Sequence, residues 1–321
     1  MRPTRNTTES ICLILNPRAG GGRAAGRIDE LKRCADRSFE AWELRLTEGP
    51  GHAALLAAEA VGRQRSLVAA VGGDGTCHEV VVGLVQATAE ADAETIFATI
   101  PLGTGSDLMR SLQVPARLDE AVWVAATGAT RRVDVGWARW LLPEGPVQEP
   151  FINVAGLGAN GEVVRAVNSM DKRLLGRASF LGASVAALSR YSPPQVEVRW
   201  TDLDGVEGAW EGPVMALFLA NGAWCGGGMW VGRGGSMEDG ALSVTLVQPG
   251  PALQRLSELR RLYDGSLERL SGVVQVRATQ LSVSSSEGSW LPLDLDGEAR
   301  GGSEARFWVQ SGGLTVRDGR T

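Results

Sequence analysis

The sequence predicts an α/β domain built on a parallel sheet, followed by a mainly antiparallel β-rich domain. Three observations predict it. Up to Arg132, short apolar runs alternate with helical stretches in the order β-α-β-α-β-α-β-α. Glycine-rich turns follow those runs at 16–22, 72–76 and 103–107, and Thr47 follows another. Beyond Arg132, short strands with alternating apolar residues take over. A chain of 321 residues also exceeds what one core commonly organises.

Ile11 to Leu15 reads as a short buried strand running into Asn16-Pro17-Arg18-Ala19-Gly20-Gly21-Gly22-Arg23. Ile28, Leu31 and Ala35 share one helical face. Trp42, Leu44 and Leu46 alternate as a strand does, Thr47 follows, and Ala53 to Val61 reads as a helix. Leu67 to Val71 is a buried strand that stops at Gly72-Gly73-Asp74-Gly75-Thr76. Val80, Val81, Leu84 and Val85 then resume at helical spacing to about Ala87. Thr95 to Ile100 is a strand ending in Pro101-Leu102-Gly103-Thr104-Gly105-Ser106-Asp107, and Leu118 to Ala126 is a helix. In an open α/β sheet the strand ends that carry such turns form the ligand crevice.

The turn at 72–76 organises the rest. Strand, glycine turn and helix place backbone N–H groups around an anion at a helix start. The glycines admit positive φ and let a phosphate approach without meeting a Cβ. Thr76 can cap the helix or donate its hydroxyl. Asp74 would repel a phosphate unless a cation sat between them, which points to a metal–nucleotide site. The same residues also suit a tight βα turn with an acidic cap.

In the second half, Val133 to Trp137 reads as a strand, and Leu142 to Pro150 carries proline and glycine. Strands follow at 151–154, 195–200, 214–220, 242–247, 273–277, 281–284 and 307–309. Leu174 to Leu188 and Leu253 to Leu270 read as helical insertions. Gly156-Leu-Gly-Ala-Asn-Gly161 spells GxGxxG, but no second strand ends in an acid about 20 residues on, so it reads as a glycine turn near a cleft. Asp239-Gly240 and Asp296-Gly297 are hairpin-turn signals. Glu298 exceeds what a turn needs.

Composition excludes several classes. The formal net charge of −5 argues against a nucleic-acid partner. Cys12, Cys34, Cys77 and Cys225 lack metal-ligand spacing, with or without His52 and His78, and read as free thiols of a reducing compartment. There is no Walker A loop and no GxSxG elbow. Met1 to Ser10 has no apolar signal-peptide core, and no run approaches the ~18 apolar residues of a spanning helix. The expectation is a cytoplasmic protein whose membrane contact, if any, is peripheral. A homodimer is compatible with the sequence.

Taken together, Asn16-Pro17 with Gly20, Gly72-Gly73-Asp74-Gly75-Thr76, Pro101-Leu102-Gly103-Thr104 with Asp107, Asn153 with Gly158, Asn221 with Gly226-Gly227-Gly228, Asp239-Gly240 and Asp296-Gly297-Glu298 resemble the diacylglycerol kinase/sphingosine kinase catalytic family, in its bacterial lipid kinase form. The resemblance covers nearly the whole chain, with the motifs in family order. It implies a Rossmann-like nucleotide domain over 1–132, a β-sandwich acceptor domain over 133–300, and a tail at 301–321 that packs back on the first. It implies ATP along 16–22 and 72–76, near Thr47 and Thr104, with Pro17, Arg18 and Gly103 among the contacts. Asp74 and Asp107 would organise the catalytic Mg²⁺, Glu298 would be the general base, and Asp239 would help hold a second, structural Mg²⁺. The implied partner is a lipid at a membrane surface, reached by loops in the Lys172–Phe180 region. This chain departs from the family pattern at His78, Ser106, Asn160, Arg233 and Ser243. Ser243, where an acid is usual, cannot supply a carboxylate.

Overall fold

The computed structural model describes residues 7–91, 94–102, 107–162, 191–251, 261, 263–266, 269, 271–285 and 288–320. They belong to two compact units, Met1–Val133 with Gly312–Thr321, and Asp134–Ser311.

In the first unit, β1 (Thr7–Leu15), β2 (Phe39–Leu46), β3 (Leu67–Gly72) and β4 (Ile96–Pro101) pair in parallel in the order β2-β1-β3-β4. Thr315 and Val316 add a further parallel pairing on β4. The connections include α1 (Ile28–Ser38), α2 (His52–Gly62), α3 (Asp74–Ala91), α4 (Asp107–Ser111) and α5 (Leu118–Thr127). Residues 11–15 and all of β3 are buried, as unbroken apolar strands covered on both faces must be. The alternation at 42–46 has a different cause. The second strand lies at the edge of the pairing order, and Leu46 is 45% exposed. The third helix runs to Ala91, past the predicted end near Ala87, because no glycine or proline follows to stop it.

The second unit is antiparallel and β-sandwich-like. Its strands are β5 (Ala129–Leu142) from Asp134 onward, β6 (Gly145–Phe151), β7 (Val154–Gly158), β8 (Gln195–Asp202), β9 (Glu207–Pro213), β10 (Ala216–Ala220), β11 (Trp224–Cys225), β12 (Met229–Trp230), β13 (Leu242–Val247), β14 (Val273–Ser285), β15 (Leu291–Leu295), β16 (Glu298–Gly302) and β17 (Glu304–Asp318) as far as Ser311. Pairing runs β16-β15-β7-β10-β13-β14, and β14 also pairs with β8 and β17. Phe151, Leu217, Leu219, Leu242, Leu281, Leu293, Leu295 and Phe307 fill one core between these strands.

Three expectations change. The proline-bearing stretch 142–150 forms most of a hairpin with β5, since β6 pairs on one side only and its prolines leave no ladder donor missing from a central strand. Residues 273–277 and 281–284 are parts of the single strand β14, continuous through Ala278 to Gln280. The strand at 207–213 carries two glycines and a proline and shows no apolar alternation, so periodicity missed it. The predicted insertion at 174–188, and most of that at 253–270, lie outside the described residues.

Helices α2 and α3 pack at backbone contact. A Cβ on Gly83 would lie 2.1 Å from the Ala54 carbonyl oxygen. Gly83→Ala should therefore destabilise by about 1–3 kcal/mol despite the better helix propensity of alanine. Gly62 faces open space, so Gly62→Ala should be neutral or stabilising. Denaturant unfolding of the two variants checks this, and equal effects would mean that the helices do not touch at Gly83.

Candidate functional site

The parallel register decides where the turns emerge. Leu15 pairs with Leu46 and with Val71, and Gly72 pairs with Pro101. Asn16, Thr47, Gly73 and Leu102 therefore leave the sheet along one edge. Backbone bonds tie them there: Thr47 N–H to Leu15 O at 2.9 Å, Asn16 N–H to Val71 O at 3.2 Å, and Leu102 N–H to Gly72 O at 3.0 Å. The chain goes from β1 to β2 on one side and then crosses to β3 on the other side of β1. The switch point of this sheet thus lies between β1 and β3, where an open α/β sheet binds its ligand.

Two turns flank that point. Asn16 Oδ1 accepts the Arg18 N–H at 2.9 Å, and Asn16 Nδ2 donates to Thr76 Oγ1 at 3.4 Å. After Pro17 and Arg18 come Gly20 and Gly21, with φ of 62° and 70°. A Cβ at Gly20 would meet the Leu102 oxygen at 2.9 Å, and one at Gly72 would meet Thr76 Oγ1 at 2.5 Å. Thr47, Thr76 and His78 are buried. Thr76 lies inside α3 and does not cap it.

Asp74 opens α3, but the helix it caps is α4. Its carboxylate accepts the N–H of Asp107 at 3.2 Å and of Leu108 at 3.3 Å. Asp107 is 4% exposed, and its Oδ1 accepts from Arg110 at 3.1 Å. The structure therefore brings Asn16, Pro17, Arg18, Gly20, Thr47, Gly72, Gly73, Asp74, Gly75, Thr76 and Asp107 to one sheet edge. Gly103, Thr104 and Ser106 lie outside the described residues. Among the described residues no three His, Cys, Asp or Glu side chains gather as a metal cage. Mg²⁺ is commonly held by one or two carboxylates together with substrate phosphates. Asp74 and Asp107, two carboxylates joined at one sheet edge through the Asp107 N–H, are of the residue type that holds an ion in that way.

In the second unit, Asp296 and Gly297 form the two-residue turn of the β15–β16 hairpin, with φ of 51° and 88°. Asp296 accepts three backbone N–H groups: Ile152 at 3.0 Å, Asn153 at 2.8 Å and Val154 at 3.0 Å. Charge-assisted bonds of this kind are strong. Asn153 Nδ2 donates to Trp224 O at 2.7 Å, and Asn221 Nδ2 donates to Asp134 O at 2.8 Å and Ile152 O at 2.7 Å. The turn is thus fixed to two neighbouring loops, and Glu298 rides on it as the first residue of β16. Glu298 is half-buried, and among the described residues its carboxylate has no hydrogen bond or ion pair. Asp239 accepts the N–H of Ser236 at 2.7 Å and of Ala241 at 3.2 Å, and it contacts Arg277 Nη2 at 2.5 Å.

Sequence reasoning did not single out the clamp role of Asp296, nor Asp134, Asp294 and Arg277. A lone acid in Leu291-Pro-Leu-Asp294-Leu was the available signal. The expected glycine turn at 156–161 begins instead as strand: Gly156 lies inside β7 between Phe218 and Asp294, and a Cβ on it would lie 2.0 Å from Asp294 Oδ2 and 2.6 Å from Asn160 Nδ2, so that glycine makes room for polar side chains. Asn160 Nδ2 donates to Leu217 O at 3.0 Å.

Fold and turns together define the class of protein: a parallel α/β unit with glycine turns along one sheet edge, and a β-sandwich-like unit. Residues 10–138 match the diacylglycerol kinase catalytic domain, and residues 153–317 match the YegS C-terminal NAD kinase beta sandwich-like domain. A probable lipid kinase YegS-like of Pseudomonas savastanoi is 30% identical over 92% of this chain and 90% of its own length. One of Pseudomonas aeruginosa is 31% identical over 96% and 94%. The solved structure of a diacylglycerol kinase from Bacillus anthracis aligns with a TM-score of 0.70 at 20% identity, covering 98% of both chains. A second structure from that organism aligns at 0.76 and 21%, covering 99% of this chain and 98% of the other. The chain belongs to the YegS-like lipid kinase family, which carries the diacylglycerol kinase catalytic domain.

Asp294 gives this unit a pH dependence. Burial pushes its carboxyl up to about 7, the Asp296 charge adds to the shift, and a hydrogen bond from the Gly297 backbone opposes it. Its folded pKa lies above the ordinary 3.8, so its stabilisation is complete below that value and is lost as pH rises through 7. Between about pH 4 and 8 the wild type should lose stability relative to Asp294→Asn. Unfolding of both proteins across that range tests the point, and parallel pH curves would show that Asp294 does not titrate there.

Proposed function

We propose that the chain is an ATP-dependent lipid kinase, transferring the γ-phosphoryl group to the hydroxyl of diacylglycerol or a related lipid. The observation that carries this reading is the pair Asp74 and Asp107, linked through the Asp107 N–H at 3.2 Å at the switch point of the parallel sheet. Phosphoryl transfer needs alignment and charge neutralisation more than covalent chemistry. In this reading Asn16, Pro17, Arg18, Gly20, Thr47, Gly72, Gly73, Gly75, Thr76, Gly103 and Thr104 hold the nucleotide. Backbone N–H groups of the glycine turns face its phosphate oxygens. Asp74 and Asp107 would hold Mg²⁺, which when bound neutralises charge on the phosphoryl oxygens. Glu298 takes the proton of the acceptor hydroxyl as that oxygen bonds to the γ-phosphorus. The bond to the β,γ-bridging oxygen breaks, and ADP leaves. Asp296 keeps the turn under Glu298 in place through its three N–H bonds.

A lipid hydroxyl lies at headgroup level, and the proposed contact with the bilayer is peripheral and reversible. No helix among the described residues is long and apolar enough to cross a membrane. The Lys172–Phe180 stretch lies outside the described residues. The decisive experiment supplies γ-labelled ATP, Mg²⁺ and vesicles containing diacylglycerol. Label in the organic phase and protein sedimenting with vesicles are expected. Label confined to a water-soluble product would mean an acceptor of the NAD kinase type.

Two variants separate the roles. Asp74→Asn keeps one acceptor for the α4 N–H groups, so stability should fall by about 1 kcal/mol or less, while turnover falls by orders of magnitude. A near-wild-type rate would leave Asp74 as a cap alone. Glu298→Gln keeps the shape and removes the base. Steady-state kinetics should show kcat reduced about 10²-fold, toward the low end for general-base loss, because loose phosphoryl transition states lean little on a base. ATP affinity measured beside it should be unchanged. An unchanged kcat would remove the base assignment.

A further inference from the structure

We propose that the guanidinium of Arg277 is the built-in cation of the Asp239 turn, standing where the family resemblance implies a second, structural Mg²⁺, so that this turn is ordered without divalent metal. The residues present do not fit such an ion. Asp239 Oδ2 accepts the Ser236 N–H at 2.7 Å, and Oδ1 accepts the Ala241 N–H at 3.2 Å. Arg277 Nη2 lies 2.5 Å from the same Oδ1. An Mg²⁺ at about 2.1 Å from that oxygen would share it with a positive nitrogen and be repelled.

The second ligand position is closed as well. Ser243 and Arg277 are direct cross-strand partners on β13 and β14. Position 243, where the family pattern has an acid, thus presents a hydroxyl beside the arginine. Gly235 crosses so close that a Cβ on it would lie 2.3 Å from Ser243 Oγ, so the turn backbone packs directly on the residue at 243. The nearby buried Asp134 spends Oδ2 on the Gly240 N–H at 2.7 Å. The Arg277 guanidinium also donates through Nη1 to Gly234 O at 3.3 Å, so one side chain holds both ends of the 234–239 turn. The contact with Asp239 is one of charge, since Nε and Nη2 have no aligned hydrogen-bond acceptor among the described residues. A serine where the family pattern has an acid and an arginine directly opposite it act together here: there is no anionic ligand at 243, and a fixed cation takes up the charge of Asp239.

The test uses the full chain without nucleotide, and its readouts are independent of turnover. Mn²⁺ binding is measured for wild type and Asp239→Asn. The expected result is the same binding in both, because any ion held by Asp74 and Asp107 is common to them. Thermal midpoints in chelator and in Mg²⁺ should show no shift that Asp239→Asn abolishes. A double-mutant cycle of Asp239→Asn and Arg277→Gln should show coupling of at least about threefold in the folding constant. Arg277→Lys, which keeps the charge, should retain part of it and serves if Arg277→Gln does not fold. An Mn²⁺ site or Mg²⁺ stabilisation in wild type that disappears with Asp239→Asn would overturn the proposal. So would additive effects of the two substitutions.

Discussion

A carboxylate that accepts backbone N–H groups from another segment is the interaction on which the turns of this protein depend. Asp74 takes the first two N–H groups of α4, and Asp296 takes three consecutive ones from 152–154. Loop amides cannot pair within their own segment, and burying them unpaired is costly. An ionised acceptor meets several at once and is stronger than a neutral one. Each acid therefore fixes a turn. The glycine that follows Asp296 serves the turn itself: Gly297 has a φ of 88° with open space around it.

The first unit adds register to this constraint. Parallel pairing aligns Leu46, Leu15 and Val71, so the turns leaving these strands must emerge at one edge. The change of direction at β1 opens a crevice there. The residues that matter come from turns far apart in sequence, and their proximity follows from strand order rather than from local spacing. The relative from Pseudomonas savastanoi differs from this chain at most positions, being 30% identical over 92% of it.

In the second unit the hairpin of β15 and β16 separates apolar packing from carboxylates. Leu291, Leu293 and Leu295 enter the core, and Asp294 faces the other way against Gly156. Asp296 is spent on loop amides, which leaves Glu298 as the carboxylate of this turn without an internal partner among the described residues. A half-buried carboxylate that no internal donor occupies keeps its lone pairs for an external proton. Packing, clamp and free acid thus alternate along eight residues.

The sequence alone determined the element order and the parallel sheet of the first unit. Apolar runs such as Leu67 to Val71 are too short for a buried helix and end at glycines, which marks them as strands buried on both faces. It also picked out Asp74 and Glu298, because a carboxylate at those turns exceeds local need, whereas Asp107 and Asp239 came only from the family resemblance. Tertiary structure decided what each acid does. That Asp74 caps α4 rather than its own helix, that Asp239 meets Arg277, and that Asp296 clamps 152–154 all depend on contacts across 33 to 142 or more residues. Local periodicity carries no information on such contacts. Edge strands were hidden for a related reason: β6 and β9 are held by ladder bonds to one neighbour, which backbone groups of any sequence can make, proline and glycine included where no donor is needed.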